Sequence, residues 1–195
     1  EGGKSISIGM EYQKRDLNNN NLLGISFANS FSDRKNDNLP TKSKLNDTRS
    51  DIVGNINFTP NNLFNLNYNF SLDRDLTGSN YDSVFAQFNV NNFITSFNFL
   101  SEDESLGSNE TISNFSEYKF TDEKSLKFST TKNLKSDFTE YYNLIYQYET
   151  DCLVASAEYR KKFYQDGSLL PDKSLLFYIK FIPFAEIRPA ATKLN

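Results

Sequence analysis

Phe64-Asn65-Leu66-Asn67-Tyr68-Asn69-Phe70-Ser71-Leu72-Asp73 alternates without a break. One set reads Phe, Leu, Tyr, Phe, Leu, and the other Asn, Asn, Asn, Ser, Asp. A period of two places the first set on one side of a β-strand and the second on the opposite side. Wound as a helix, these residues would scatter their apolar side chains around the axis. The stretch therefore decides for a strand with one apolar and one polar face.

The pattern extends in both directions. Upstream, Ile6, Ile8, Met10 and Tyr12 alternate with Ser5, Ser7, Gly9 and Glu11. Leu23, Ile25, Phe27 and Phe31 share a face, as do Ile52, Ile56 and Phe58 with Gly54 between them. Downstream come Val84, Ala86, Phe88 and Val90, then Phe93, Thr95, Phe97 and Phe99. Tyr142, Leu144, Tyr146 and Tyr148 follow, then Leu153, Ala155, Ala157 and Tyr159, and the series closes on Leu175, Phe177, Ile179 and Phe181. The spacing predicts eleven strands, at 3–15, 21–33, 49–59, 63–74, 81–91, 93–103, 110–120, 124–133, 138–150, 152–165 and 174–184. No segment longer than a turn has helical spacing.

Composition agrees. The 195 residues suffice for one ordinary domain. Mean hydropathy is only -0.60, yet 15% of residues are aromatic, which a disordered chain lacks. The apolar residues must be spread evenly, as alternation requires. The absence of His excludes His-based triads and zinc sites built from this chain alone. One Cys excludes an internal disulfide framework. A net charge of -4 argues against a nucleic-acid binder. No apolar run reaches the length of a transmembrane helix.

The connections fall into two kinds that alternate along the chain. Short ones sit at Thr59-Pro60-Asn61-Asn62, Asn91-Asn92, Thr121-Asp122-Glu123 and Thr150-Asp151. Longer, more charged ones cover 33–48, 74–80, 103–109, 133–137 and 165–173. Short periplasmic turns opposite longer outer loops are the mark of a transmembrane β-barrel. A soluble sandwich or adhesin repeat would have shorter strands and loops of similar length at both ends. The fold class expected is thus all-β, an antiparallel transmembrane β-barrel. Such barrels take an even number of strands in bacteria, and eleven is odd. Residues 1–184 are accordingly expected to be the C-terminal portion of a larger outer-membrane barrel, and 185–195 a loose periplasmic tail.

Cys152 lies at a short inner turn. Two readings stand for it. Its thiol is bridged to a partner outside this stretch, as oxidising compartments favour, or it is a buried free thiol acting as a small hydrophobe. The acidic groups Glu102-Asp103-Glu104 and Asp73/Asp75 have the residue types of a Ca²⁺ site or a glycosidase pair. They fall in the long loops, where solvated charge is expected, so no catalytic or metal role is assigned and no cofactor is implied.

One stretch carries a resemblance. Tyr146-Gln147-Tyr148-Glu149-Thr150-Asp151-Cys152-Leu153-Val154-Ala155 is followed by Glu158-Tyr159-Arg160-Lys161-Lys162-Phe163-Tyr164-Gln165-Asp166 and by Leu169-Leu170-Pro171-Asp172-Lys173-Ser174-Leu175-Leu176-Phe177. An acidic residue before Cys, a Tyr-Arg-x-x-Phe strand, a Pro-Asp loop and a closing aromatic strand resemble the C-terminal end of the LptD family, the lipopolysaccharide-assembly proteins of Gram-negative outer membranes. The specific part spans 144–184.

The resemblance implies a barrel of about 26 strands, at the large end of the usual range, behind a periplasmic jellyroll domain. It implies an LptE-like plug lipoprotein, periplasmic lipopolysaccharide-transport bridge proteins and the barrel-assembly machinery as partners. Lipopolysaccharide would enter the outer leaflet through a lateral gate between the first and last strands. Leu175, Phe177, Ile179 and Phe181 would belong to that last strand, with Pro183 either a weakly pairing gate residue or simply the strand's end, and Cys152 would bridge to an N-terminal periplasmic region. Where many members have two adjacent cysteines, this chain has Cys152 followed by Leu153. Lys132, Lys135 and Lys173, placed in outer loops, are either ordinary solvated loop charge or, near lipopolysaccharide, point charges that meet its phosphates. The resemblance implies transport, not enzymatic activity, at the outer membrane, with the short turns and C-terminus in the periplasm. A general porin or channel fragment shares the fold without the Cys152 bridge. A barrel lipase or protease would need a catalytic base that this His-free chain does not supply.

Overall fold

The computed structural model describes residues 3–39, 41–102, 109–163, 170–182, 185–187 and 192–193. All eleven expected strands form: β1 (Ser5–Arg15), β2 (Asn21–Ser32), β3 (Ile52–Asn61), β4 (Phe64–Leu72), β5 (Ser79–Val90), β6 (Phe93–Glu102), β7 (Glu110–Lys119), β8 (Lys124–Asn133), β9 (Phe138–Glu149), β10 (Leu153–Lys162) and β11 (Asp172–Phe181). The only helical element among the described residues is a 3-10 turn, Lys42–Lys44. Each long strand takes its hydrogen-bonding partners from its neighbours in the chain.

One difference from expectation stands out. The tail is not loose throughout. β12 (Ala185–Ile187) and β13 (Thr192–Lys193) both pair antiparallel with β11. An edge strand exposes a row of unpaired N–H and C=O groups, and the tail is the nearest backbone able to satisfy them. The strands do not close on one another, since β1 pairs with β2 alone among the described residues, as expected of a portion of a larger barrel. The sheet is all-β and antiparallel, as the alternation requires.

The chain forms two compact units, residues 1–87 with 98–110, and residues 88–97 with 111–195. In the first, register puts Tyr12 opposite Ile25, Ile25 opposite Ile56, and Ile56 opposite Tyr68. That row is the apolar face. On the opposite face, Glu11 meets Ser26, Ser26 meets Asn55, and Asn55 meets Asn69. In the second unit, Leu126 meets Tyr146, Tyr146 meets Ala157, and Ala157 meets Phe177.

No hydrophobic side chain is buried among the described residues. Ser50, Asp51, Ser71 and Ser125 are the residues that are. Ile6, Ile8 and Met10 are each at least 60% exposed. A continuous apolar face left in water forfeits the main favourable term of folding. The sheet makes thermodynamic sense with that face against an apolar medium and the other against water.

Local chemistry explains the turns. Asp16 accepts from the backbone N–H groups of Asn18 and Asn20, both at 2.8 Å, and from the Asn20 amide at 2.9 Å. Asn19 takes a φ of 66°, a conformation Asn tolerates. Asn91 does the same at the Asn91-Asn92 turn, with a φ of 51°. Pro60 was expected in a turn but lies within β3, where the register shifts between Phe58 and Asn61. A bulge is the place in a strand that tolerates a residue without an N–H. Gly54 lies opposite Phe70, whose ring occupies the space that a Cβ at 54 would need.

Candidate functional site

The polar face of the first unit is built from amides and hydroxyls. Asn55 faces Asn69, and Asn57 faces Asn67. The four side chains form a closed ring of hydrogen bonds. Asn69 Nδ2 donates to Asn67 Oδ1 at 2.7 Å, and Asn67 donates to Asn57. Asn57 donates to Asn55, and Asn55 Nδ2 returns to Asn69 Oδ1 at 2.6 Å. Next to it, Thr59 donates to Asn65 Oδ1 at 3.2 Å. A groove of about 290 Å³ runs beside the ring, lined by Glu11, Gln13, Ser26, Asn55, Asn57 and Thr59 among others. Gly24 lines it too, where a Cβ would come within 3.9 Å of Asn57 Cβ.

One end of this unit is held by the β2–β3 connection. Lys44 Nζ lies 2.6 Å from Asp73 Oδ1 and 3.7 Å from Asp51 Oδ1. Asp51 is 1% exposed and accepts from Asn80 Nδ2 at 2.7 Å and Ser71 Oγ at 3.3 Å. Its N–H donates to the Ser43 carbonyl at 2.9 Å. Asp47 bridges Lys35 at 3.4 Å and Arg74 at 3.3 Å. The hydrogen bond from Lys44 holds the Asp73 carboxyl below the usual range, and the same bond raises the Lys44 ammonium above its own. Asp47 is also lowered, chiefly by the Thr48 N–H and then by Lys35. Asp73 is therefore a loop anchor. Asp103 and Glu104 of the other acidic group lie outside the described residues.

The second unit wets its polar face differently. Lys127 Nζ donates to Gln147 Oε1 at 2.9 Å and sits 3.8 Å from Glu117. Gln147 donates onward to Glu149 at 2.6 Å, and Arg160 pairs with Glu158 at 2.5 Å. β7 breaks the alternation: by register Asn114 and Ser116 stand on the side of Leu126 and Phe128. They are satisfied locally. Thr95 and Ser116 hydroxyls bond at 2.8 Å, and Asn114 Nδ2 donates to Thr95 Oγ1 and the Ser96 carbonyl, both at 3.1 Å.

The residues singled out in the sequence are distributed as follows. Leu175, Phe177, Ile179 and Phe181 share one face of β11, opposite Tyr159, Ala157, Ala155 and Leu153. Pro183 lies outside the described residues. Cys152 is exposed in this chain. Its carbonyl accepts the Ile182 N–H at 2.8 Å, which brings the cysteine turn beside the end of β11. Sequence spacing gave no hint of this contact. The lysines do not form a group. Lys132 lies in β8, not in a loop, and pairs with Asp137 at 2.5 Å. Lys173 lies in β11, in register with Lys161. Lys135 alone is in a loop, between β8 and β9.

A sheet of long antiparallel strands, apolar on one face, polar on the other and without a buried core, is the architecture of a membrane-spanning β-protein of the outer-membrane kind. Among the described residues no helix is long and apolar enough to cross a membrane. The family model for LptD, LPS transport system D, matches residues 1–126, and the chain belongs to that family. Its members serve lipopolysaccharide transport at the outer membrane, a transport role rather than an enzymatic one. The match covers the part of the chain upstream of residues 144–184, on which the sequence resemblance rests. No curated protein matches the chain.

Proposed function

We propose that the chain is part of the barrel wall of the outer-membrane lipopolysaccharide translocon, with β11 as one side of the lateral gate. The observation that carries this reading is the far edge of β11. Among the described residues, three of β12 and two of β13 pair along it. Across its other edge, β10 pairs with ten consecutive residues. A strand held firmly on one side and lightly on the other suits a seam that must part.

In this reading the apolar faces meet lipid and the polar faces line the lumen. The short turns and the C-terminus lie in the periplasm. Cys152 bridges to an N-terminal periplasmic region, and its contact with Ile182 lets that bridge tether the inner end of the gate strand. An LptE-like lipoprotein occupies the lumen, bridge proteins deliver the lipid, and the barrel-assembly machinery engages the aromatic end of β11. Lys135 is the loop lysine best placed to meet phosphates.

A photo-crosslinking residue at Leu175 or Ile179 of the full-length protein in cells tests the gate. Lipopolysaccharide adducts are expected there and not at Leu126 on β8. Equal capture at Leu126, or none at β11, rejects β11 as the gate. A non-reducing gel of the full-length protein with and without Cys152→Ser tests the bridge, and a reductant-sensitive shift that depends on Cys152 is expected.

A further inference from the structure

Part of the β2–β3 connection reaches the apolar face. Arg49 forms an isolated antiparallel bridge with Phe31, and Phe31 pairs with Ile6. Residues directly opposite one another in a sheet share a side, so Arg49, Phe31 and Ile6 form one row. The guanidinium carbon of Arg49 stands 5.7 Å from the centre of the Phe31 ring, within range of a cation–π contact. Lys4, two residues before Ile6, falls on the same side by alternation. Its carbonyl accepts the Asp33 N–H at 3.0 Å, which carries the β1–β2 pairing past Ser5. The apolar wall of the first unit thus bears two cations at the end where β2 leaves for β3.

Neither side chain pairs with a carboxylate among the described residues, because the acids nearby are engaged elsewhere. Asp33 accepts the Lys4 backbone N–H at 3.0 Å and lies 3.8 Å from Arg34 Nε. Asp47 is held by Lys35 and Arg74, and Asp51 faces Lys44. Lower on the apolar face, Asp82 accepts from the Tyr68 hydroxyl at 2.6 Å. Asn29, between Phe27 and Phe31, donates to the Ser50 and Asp51 carbonyls at 2.7 and 3.1 Å. Arg49 Nε is buried without a hydrogen-bond partner. The Phe31 ring and the protein around Nε therefore fix the guanidinium, while its terminal N–H groups stay unspent among the described residues. Below these cations runs an apolar strip of Ile6, Ile8 and Met10 on β1 with Phe27 and Phe31 alongside, all exposed. From Ile6 to Met10 it spans about 13 Å of strand, close to half of an apolar band about 25 Å tall. Cations at the rim and an apolar strip one leaflet deep match a lipid with an anionic head. A guanidinium with free terminal N–H groups suits a phosphate best, since the two meet through paired bonds.

We propose that the loop end of the apolar face at β1 and β2 is a binding site for a phosphate-bearing membrane lipid. Arg49 and Lys4 take the headgroup phosphate, and the acyl chains lie along Ile6, Ile8, Met10 and Phe27. The lipid is a resident of the leaflet around the outside of the wall, not cargo within the lumen. The site rests on the reading above that this face meets lipid.

The test places a photo-crosslinking residue at Ile8 of the full-length protein, in vesicles of phosphatidylcholine with a minor share of phosphatidic acid. Mass spectrometry of the adducts gives the ratio of the two lipids captured. Phosphatidic acid is expected well above its share of the vesicle. Arg49→Gln and Lys4→Gln should each lower that enrichment about fivefold, with phosphatidylcholine adducts retained. Arg49→Lys should keep most of it, and Lys14→Gln, at the other end of the same face, should leave it unchanged. Excess inorganic phosphate should not displace the lipid. Heat-modifiable migration on a gel establishes that each variant is folded, and Lys4→Gln, outside the strand, carries the test if Arg49→Gln is not. Capture of phosphatidic acid only in proportion to its share, unchanged enrichment in the folded variants, or displacement by inorganic phosphate each overturns the proposal. The two readings fail differently. Phosphatidylcholine adducts without enrichment remove the site and leave the face against lipid, whereas no lipid adduct of either kind at Ile8 rejects the face assignment and the site with it.

Discussion

The polar faces of the two units solve the same problem with different chemistry. Around β3 and β4, Asn55, Asn57, Asn67 and Asn69 satisfy one another in a ring that carries no charge. Around β8 to β10, Lys127 and Arg160 are held by Glu117, Gln147 and Glu158. Both arrangements keep a β-surface wet. They differ in what disturbs them. An amide ring has no charge to screen and nothing to titrate near neutral pH, whereas exposed ion pairs weaken with salt. Two stretches of one meander thus keep a polar face wet by different means without any change of fold.

The largest expected effect tests whether these are the wet faces at all. Leu66→Arg, on the apolar face, should destabilise the protein in lipid by about 2–4 kcal/mol if it lies near midplane. Asn67→Arg, one residue on, should cost far less than Leu66→Arg. Urea titration of the folded fraction in vesicles measures both, and equal costs would break the face assignment. Next in size, Asn67→Leu should remove two bonds of the ring and cost about 1–2 kcal/mol, by an amount that does not change with added salt. Lys127→Met should cost about 0.5–1 kcal/mol at low salt and less at high salt. The same titration at two ionic strengths would show whether the contrast between the units is real.

The smallest effect is local and concerns the β2–β3 connection. Lys44 depresses the Asp73 carboxyl, so their pairing is fully present above the ordinary carboxylate pKa and is lost as pH falls through the lowered value. The raised Lys44 value acts at the other end. Its contribution is intact below the ordinary lysine pKa and is lost as pH rises through the raised one. The anchor should thus hold across neutral pH and loosen only at the extremes. Pepsin nicking within residues 33–51 should begin only below the ordinary carboxylate range in the wild-type protein. In Asp73→Asn it should begin at higher pH, and identical onset in the two would show that this ion pair does not hold the loop.

Strand positions were legible because alternation is a local signal, and β4 shows it without a single exception. What escaped the sequence depends on register or on distance. Four asparagines at 55, 57, 67 and 69 are plain to see, but their ring exists only because residue 55 pairs with 69 and 57 with 67. Lys44 and Asp73 are 29 residues apart, and Cys152 and Ile182 are 30 apart, with no periodicity linking either pair. Pro60 misled for a different reason: a bulge and a turn demand the same residue. The tail strands escaped because β12 and β13 are too short to show a period. They form where β11 offers unpaired backbone groups, not where their own residues call for strand. Lys132 and Lys173 read as loop residues in the sequence because strand ends rich in charge look like loops.

Because every long strand pairs with its neighbours in the chain, almost all of the assembly can proceed by closing one hairpin onto the last. The entropy of each closure grows with the logarithm of the connecting length. The connection at 73–78 is short, and that at 33–51 is about three times longer, which makes its closure costlier by roughly 1 kcal/mol on that scale. Joining β2 to β3 is therefore the step at which this end of the meander should pause. The connection that is slowest to close is also the one fastened by Lys44, Asp47, Asp51 and Asp73. Those contacts then act as a latch on the transition, holding the pairing once it has formed and slowing its reversal while the remaining strands are added.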